Sequence, residues 1–491
     1  MLKVYNSLGR ELQEFEPQHE GFVGIYVCGP TVYGHSHIGH AKSYVSFDVI
    51  VRYLRCLGYR VRYVQNITDV GHLTDDADEG EDKVGKRARE LGIQPMEVAE
   101  TFTRSYFEDM DALNVLRPDI SPRASGHIPE QIELIRTLIE KGHAYQVEGN
   151  VYFDVTSFPD YGKLSGRSLD QIMEGTRVEA RGEKRHPADF ALWKRAEEGH
   201  LMRWNSPWGE GFPGWHLECS IMATKYLGET ADVHGGGIEN IFPHHEDEVA
   251  QSEAATGKPF VRYWLHNGMV TVNGQKMGKS LGNFITLKDA FAGKPPLGKP
   301  VRPMVLRYFI LTSQYRSPLD FSAEALDAAE KGLARIEEAV GRVRRMMDGA
   351  PPGETPEAIS RLVEDTREQF LGEMDNDFNT AGALGVLSTF TREANRLLDE
   401  RPDMPRGALE ALNALYEELG GGVLGVVTAE TGRAAVEGPG IEGDLIEALL
   451  AVREELRQAK QFEVADRIRE RLRELGVEVK DSPDGPTWQR T

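Results

Sequence analysis

The residues best suited to chemistry fall into two groups far apart in the chain. The first is His37 and His40, on either side of Gly39, in the run "YGHSHIGHAKSY". A glycine-marked turn entering a helix leaves backbone N–H groups unpaired at the positive end of the helix dipole, which favours an anion such as a triphosphate. Imidazoles there can donate to phosphoryl oxygens, and Gly39, lacking a Cβ, lets a flat base come close. The competing role for both histidines is simply to cap and pack the helix. The second group is Lys276 and Lys279 in "GQKMGKSLGN", a loop bounded by Gly274 and Gly282. Two ammonium groups on such a loop can follow negative charge onto a departing pyrophosphate. Alone it is a solvated basic loop; together with an anion-binding turn it becomes the second half of a nucleotide site.

The elements that must position these groups follow from the residue pattern. "GFVGIYVCGPTVY" has the Val, Ile and Tyr content of a buried strand. "AKSYVSFDVIVRYLRCLGY" has helical spacing and Gly58 near its end, and "RVRYVQNITDV" is a second strand. Strand, turn, helix and strand open an α/β fold with a doubly wound parallel sheet, whose ligands collect at the carboxyl ends of its strands. The histidines lie at that first turn. Residues 71–83, "GHLTDDADEGEDK", are an acidic loop. Residues 1–120 thus form the first half of the sheet domain and 121–200 an insertion of mixed helix and strand. The second half, 201–320, carries the lysine loop. Beyond it Leu326, Ala329, Leu333, Ile336, Val340, Val343 and Met347 recur at three- and four-residue spacing, and further helical runs complete a bundle over 321–430. A Gly/Pro-rich linker leads to two helices and a short tail within 431–491.

At 491 residues the chain is long enough for two to four domains. Its formal charge of −21 repels phosphate at long range, so any nucleic-acid contact must be a local patch. Cys28, Cys56 and Cys219, an odd number in a long chain, make no disulfide framework. The amino-terminal residues lack an apolar signal segment, and a cytoplasmic location is expected. No run approaches the roughly 18 apolar residues of a spanning helix, so no membrane partner is expected.

A His-Ile-Gly-His turn followed by a Lys-Met-x-Lys-Ser loop resembles the class I aminoacyl-tRNA synthetases. The fuller set, "YVCGPTVYGHSHIGH", "NITD", "GWHLECS", "HGGGIENIFPHHEDE", "KMGKS" and the closing "DGPTWQR", is similar to that of the cysteinyl-tRNA synthetases in order over nearly the whole chain. That resemblance implies a Rossmann-like catalytic domain, a connective insertion, a helical bundle and a small carboxyl-terminal anticodon-binding unit. It implies ATP, L-cysteine and tRNA(Cys) as partners, Mg2+ accompanying ATP, one Zn2+ per chain, and a monomer.

Cys28 and Cys219 supply soft ligands, and His244 and Glu248, four residues apart, share one helical face. Spacing leaves His245, three residues from Glu248, equally able to serve; the family pattern selects His244 for the Zn2+ site. Cys56 stays a small apolar residue of an amphipathic helix. By the same resemblance His37, Gly39, His40 and Lys279 hold ATP, and Glu239 takes the ribose hydroxyls. Thr68 and Trp215 line the cysteine pocket, and His234 with its following glycines passes close to the adenylate. Gly278 stands where the family has serine, and Glu239 where it has a shorter acid. For the anticodon, Arg457 suits a guanine edge, Phe462 stacks on an unpaired base, and Asp466 or Asp481 accepts from exocyclic amines. A charged helix pair with Phe462 in its core is the simpler alternative. Two rival activities are a cysteine ligase acting on an amino sugar, as in mycothiol synthesis, and a zinc-stabilised RNA-binding protein without catalysis.

Overall fold

The computed structural model describes residues 1–74, 80–175, 183–278, 281–295, 297–432, 441–458, 461–482 and 485–490. Contacts divide the chain into two units, Met1–Thr428 and Ala429–Thr491.

The first unit opens with an antiparallel hairpin, β1 (Lys3–Asn6) and β2 (Glu11–Glu14). β3 (Phe22–Val27) is buried at every residue but its first, as the continuous apolar run requires of a strand covered on both faces. Next come α1 (Ile38–Cys56) and β4 (Arg60–Gln65), which pairs in parallel with β3. Two helices the sequence pattern does not mark, α2 (Lys83–Leu91) and α3 (Pro95–Ala112), then pack together. α2 starts at the last residue of the acidic segment, where Asp82 caps it by accepting from the Gly85 N–H.

The insertion contains α4 (Ile128–Glu140), β5 (Ala144–Val147), β6 (Asn150–Phe153), α5 (Leu169–Gly175), β7 (Phe190–Arg195), β8 (Trp204–Ser206) and β9 (Gly209–Pro213). Its strands form one antiparallel sheet in the order β5-β6-β7-β9-β8 over a core that includes Ile135, Phe153, Leu192 and Trp193. The pairing of β9 with β7 carries this sheet past residue 200, where the sequence pattern returns to the main sheet.

α6 (Trp215–Leu227), β10 (Ala231–Gly237), α7 (His244–Thr256) and β11 (Val261–Asn267) complete the main sheet. Its order is β11-β10-β3-β4, all parallel. The chain runs outward from β3 to β4 on one side and from β10 to β11 on the other. The switch point of a doubly wound sheet therefore lies between β3 and β10, with the ligand crevice beyond their carboxyl ends at Cys28 and Gly237. β12 (Val270–Val272) and β13 (Gln275–Lys276) follow, then α8 (Leu287–Ala292), α9 (Pro303–Leu311) and β14 (Leu319–Phe321), which pairs with β12.

The bundle is α10 (Ala323–Gly349), α11 (Glu357–Met374), α12 (Thr380–Glu400) and α13 (Arg406–Leu415), continued by a π-helical turn over Tyr416–Val423. α10 buries Leu326, Ala329, Leu333, Ile336, Val340 and Val343 along one stripe, as their spacing predicts, and leaves Met347 half-buried. A buried ion pair ties this bundle to α1. Arg307 pairs with Asp48 and donates to the carbonyls of Leu113, Asn114 and Leu424 at 2.8–3.0 Å. Arg52 joins the same carboxylate and donates to the Gly421 carbonyl.

The second unit has α14 (Ile441–Gln458), α15 (Phe462–Glu474), and a hairpin of β15 (Val477–Ser482) and β16 (Gly485–Arg490) where the sequence shows only a tail. Ile446, Leu450, Leu472, Val477 and Val479 form its core. Among the described residues no helix is long and apolar enough to cross a membrane.

Candidate active site and metal centre

α1 begins at the histidine turn because its amino end is capped from within the motif. The His37 Nδ1 accepts from the Gly39 N–H at 3.1 Å and the His40 Nδ1 from the His37 N–H at 3.2 Å, a reciprocal capping box. The two rings stack with centroids 3.8 Å apart. A Cβ on Gly39 would lie 2.8 Å from the His37 ring, so glycine here makes room for the cap itself. Capping and ligand binding are compatible: capping occupies both Nδ1 atoms, and a bound phosphate would be met by Nε2. Burial, then neighbouring His37, holds His40 well below the ordinary histidine pKa, so it donates as a neutral ring.

Both histidines line a cavity of about 540 Å3 beyond the ends of β3 and β10. Cys28, Cys219 and His244 line the same cavity, together with Thr68, Trp215 and Glu239. The Cys28 Sγ lies 3.8 Å from the Cys219 Sγ and 3.8 Å from the Glu248 Oε1, and the His244 Nε2 is 3.1 Å from that oxygen. Donor atoms of Cys28, Cys219, His244 and Glu248 all lie within 4.8 Å of one another. A second set, Cys28, His234, His245 and Glu248, meets the same criterion. Only the first borders the cavity with two thiols and an imidazole, and two soft sulfur donors with an imidazole suit Zn2+.

The buried chemistry fits a cation. Burial first, then the Cys28 thiol, pushes both Cys219 and Glu248 well above their usual pKa values. His244 and His245 are held well below theirs by burial and then by neighbouring imidazoles. The buried Glu248 Oε2 makes no hydrogen bond among the described residues, its neighbour being the His234 Nε2 at 3.4 Å. Neutral imidazoles are ready ligands, while a thiol and a carboxyl crowded together ionise only beside a positive charge. His244 is oriented from behind by the His216 Nδ1 at 2.7 Å, and His245 by the His266 Nε2 at 2.8 Å.

Other expected residues occupy distinct positions. Thr68 is buried, donates to Glu218 and accepts from the Asn66 amide. Trp215 stacks on His72 with centroids 3.9 Å apart and planes 7° apart. The Glu239 carboxylate lies over Gly237, where a Cβ would meet it at 2.5 Å, and the residue lines the cavity. His234, expected beside the adenylate, is fully buried behind Cys28, with its Nε2 3.5 Å from the sulfur. The glycines that follow it, Gly236 and Gly237, line the cavity.

Lys276 ends β13 and is exposed; Lys279 lies outside the described residues. Asn283 clasps the loop, donating to the Lys276 carbonyl at 3.0 Å and accepting from the Gly278 N–H at 2.8 Å. The chain after the loop docks on the histidine turn: the Ile38 N–H donates to the Ile285 carbonyl and the Leu287 N–H to the Ser36 carbonyl. The two motifs are thus neighbours despite some 240 intervening residues.

In the second unit Arg457 lies in the last turn of α14, near Glu454. Phe462 is 56 % exposed at the start of α15 rather than in the helix-pair core, and Asp466 lies exposed one turn later. Asp481 belongs to β15, and its side chain is outside the described set. His72, His216, Glu218, His266 and Asn283 escape a motif-based reading because their roles arise only from tertiary contacts. Asn283 alone carries a sequence signal, lying just past the lysine loop.

Comparison with known proteins agrees with this geometry. Residues 14–331 match the tRNA synthetases class I (C) catalytic domain, 369–428 the DALR domain, and 443–488 the cysteinyl-tRNA ligase anticodon binding domain. A cysteine–tRNA ligase of Chlorobium luteolum is 53 % identical, with 100 % of this chain and 99 % of the relative covered. One from Thermus thermophilus is 51 % identical, with 99 % of each covered. The methionyl-tRNA synthetase of Mycobacterium tuberculosis, solved with methionyl-adenylate, superposes with a TM-score of 0.61 over 84 % of this chain and 92 % of that one, at 16 % identity, a likeness of fold. With two thiols and a histidine-capped helix start lining one cavity at the switch point of a parallel sheet, and identity above one half along the full length, the chain belongs to the cysteine–tRNA ligase family of class I aminoacyl-tRNA synthetases.

Proposed function

We propose that this chain activates L-cysteine with ATP to give cysteinyl-adenylate and pyrophosphate, then transfers cysteine to the 3′ end of tRNA(Cys). The carrying observation is that one cavity is lined both by Cys28, Cys219 and His244 and by His37 and His40. Sulfur-selecting and phosphate-binding groups share a single space.

In the first step a cysteine carboxylate oxygen attacks the α-phosphorus, and the bond to the bridging oxygen breaks to release pyrophosphate. His37 and His40 donate through Nε2 to phosphoryl oxygens, reinforced by the free N–H groups at the start of α1. Lys276 and Lys279 follow the charge onto the leaving group, which Mg2+ accompanies as the ATP counter-ion. Glu239 accepts from the ribose hydroxyls, and Trp215 and Thr68 close the amino-acid side of the cavity. In the second step a terminal ribose hydroxyl of the tRNA attacks the mixed anhydride and releases AMP. No side-chain nucleophile is required, because positioning and charge stabilisation carry both displacements. Arg457, Phe462, Asp466 and Asp481 are assigned to the anticodon.

Cys28, Cys219, His244 and Glu248 would hold Zn2+, which when bound would supply a thiophilic Lewis acid favouring a deprotonated thiol over the harder serine hydroxyl. Discrimination of roughly 10⁴ is about 5.5 kcal/mol, whereas shape alone rejects a near-isostere by only about 10². An acceptor other than tRNA is disfavoured by the anticodon-binding match over residues 443–488. The test is a charging assay with all twenty amino acids and pooled tRNA, before and after chelation. Charging of cysteine alone, lost with the metal and restored by Zn2+, is expected; charging of another amino acid, or cysteine activation without transfer, rejects the reading.

A further inference from the structure

A second cavity, of about 590 Å3, lies beside the first and shares Thr31, His37, His40 and His72 with it. Its outer wall is one face of α2. Lys83, Lys86, Arg87 and Glu90 line it at spacings of three, one and three, while Val84, Gly85 and Ala88 on the other face are buried. Tyr33, Phe102 and Phe284 interleave with these side chains around the same space, and the Lys83 ammonium lies 5.8 Å from the Tyr33 ring centroid. Lys86 is exposed, whereas Arg87 is partly compensated by Glu90 at 2.8 Å, so Lys86 carries the larger share of the field.

We propose that this cavity receives the single-stranded 3′ end of the acceptor, with Lys86 and Arg87 holding its phosphodiesters and the aromatic rings supporting its bases. The assignment rests on the charging activity proposed above. Cations interleaved with aromatic rings are the signature of a single-strand site, because phosphates need charge and bases need flat apolar faces. A departing pyrophosphate would use the cations but gain nothing from three aromatic walls. The volume falls within the roughly 300–1,000 Å3 of small-molecule pockets, room for terminal nucleotides rather than for a duplex. On a chain with net charge −21, a polyanion must be guided by such a local cluster.

The partition between the cavities strengthens the assignment. His72 stands in the shared wall: its Nδ1 lies 2.6 Å from the Thr31 Oγ1, its Nε2 2.7 Å from the Lys83 Nζ, and its ring lies flat on Trp215. A strand held on α2 thus lies next to the space assigned to the adenylate, with Thr31, His37, His40 and His72 common to both.

The test uses the full-length protein carrying Lys86→Ala and Arg87→Ala together, changes on the solvent face of α2 that leave its packed residues untouched. Affinity is measured for intact tRNA(Cys) and for the same tRNA trimmed of its single-stranded 3′ nucleotides, alongside cysteine-dependent ATP–pyrophosphate exchange. The expected result is at least about tenfold weaker binding of intact tRNA, with a salt dependence shallower by about 1.4 log units for two lost single-strand phosphate contacts. Binding of trimmed tRNA and exchange should stay within about twofold of wild type. Equal weakening of both tRNAs, lost exchange with unaltered tRNA affinity, or no change overturns the proposal. If the wild type charges tRNA while the double variant matches it throughout, this inference alone fails; if the wild type charges no tRNA, the activity assignment fails and takes this one with it.

Discussion

Behind the first cavity, Cys219, His234, His244, His245 and Glu248 are each at most 2 % exposed, whereas Lys86 in the neighbouring one stands in solvent. The contrast follows from what each must recognise. Telling a sulfur atom from an oxygen atom demands donors fixed in a dry setting, where ligand softness and geometry decide and water cannot compete. Holding a polyanion demands only positive charge at roughly the right spacing, and side chains that adjust serve it well. One space is therefore built from helix and strand interiors, and the other from the outer face of a short helix.

The severest challenge to this contrast is Cys219→Ala. It should lower cysteine-dependent exchange at least about 10³-fold, near 4 kcal/mol, and drop the preference over serine from about 10⁴ toward about 10². A preserved preference in the variant would break the comparison on its buried side.

A smaller effect comes from Asp82, the cap of the basic helix, whose carboxyl is pushed up to about 6 by burial against the opposing pull of the Gly85 and Gly71 N–H groups. Its folded pKa exceeds the unfolded value, so the folded state binds the extra proton between about pH 4 and pH 6, and stability falls as pH rises through that window. Relative to Asp82→Asn, the wild type should gain up to about 3 kcal/mol as pH falls from 7 to 4, read by denaturant unfolding at each pH. A flat difference would mean that the cap is not held dry.

Phe462→Ala extends the comparison to the second unit, where an exposed ring should serve binding only. Affinity for tRNA(Cys) should weaken by about 1–3 kcal/mol, the usual value of a base stacked on an aromatic ring, with exchange unaltered. The smallest expected effect belongs to Asn283→Ala, which removes both hydrogen bonds that clasp the lysine loop. Exchange should slow about fivefold, near 1 kcal/mol, with KM for ATP unchanged in steady-state kinetics.

How much of this was written in the residue pattern depended on whether a group acts through its neighbours in sequence. The strand, turn and helix around His37 and His40 are local, and their pattern marks them directly. Cys28, Cys219, His244 and Glu248 converge from three places, the end of β3, α6 and α7; the family resemblance picks His244 where spacing leaves His245 open, and the folded chain keeps both near Glu248. α2 has no apolar stripe to reveal it, since its buried face consists of Val84, Gly85 and Ala88, and its basic face goes unremarked beside an acidic run. His72 and Glu218 gain meaning only from contacts made across the fold. The carboxyl-terminal hairpin hides because a turn rich in Pro, Asp and Gly looks like the end of structure rather than its reversal.

Arg307 has a practical bearing on dissection of the chain. Its guanidinium, buried with Asp48, depends on the Leu424 carbonyl, well inside what a designer would take for a separable helical appendage. A fragment ending before that residue would keep the ion pair but leave the buried Arg307 Nε without its acceptor, a fault worth about 1–3 kcal/mol. Residues 1–320 expressed alone should therefore be less stable than residues 1–427, and grafts from relatives should be joined after Val427.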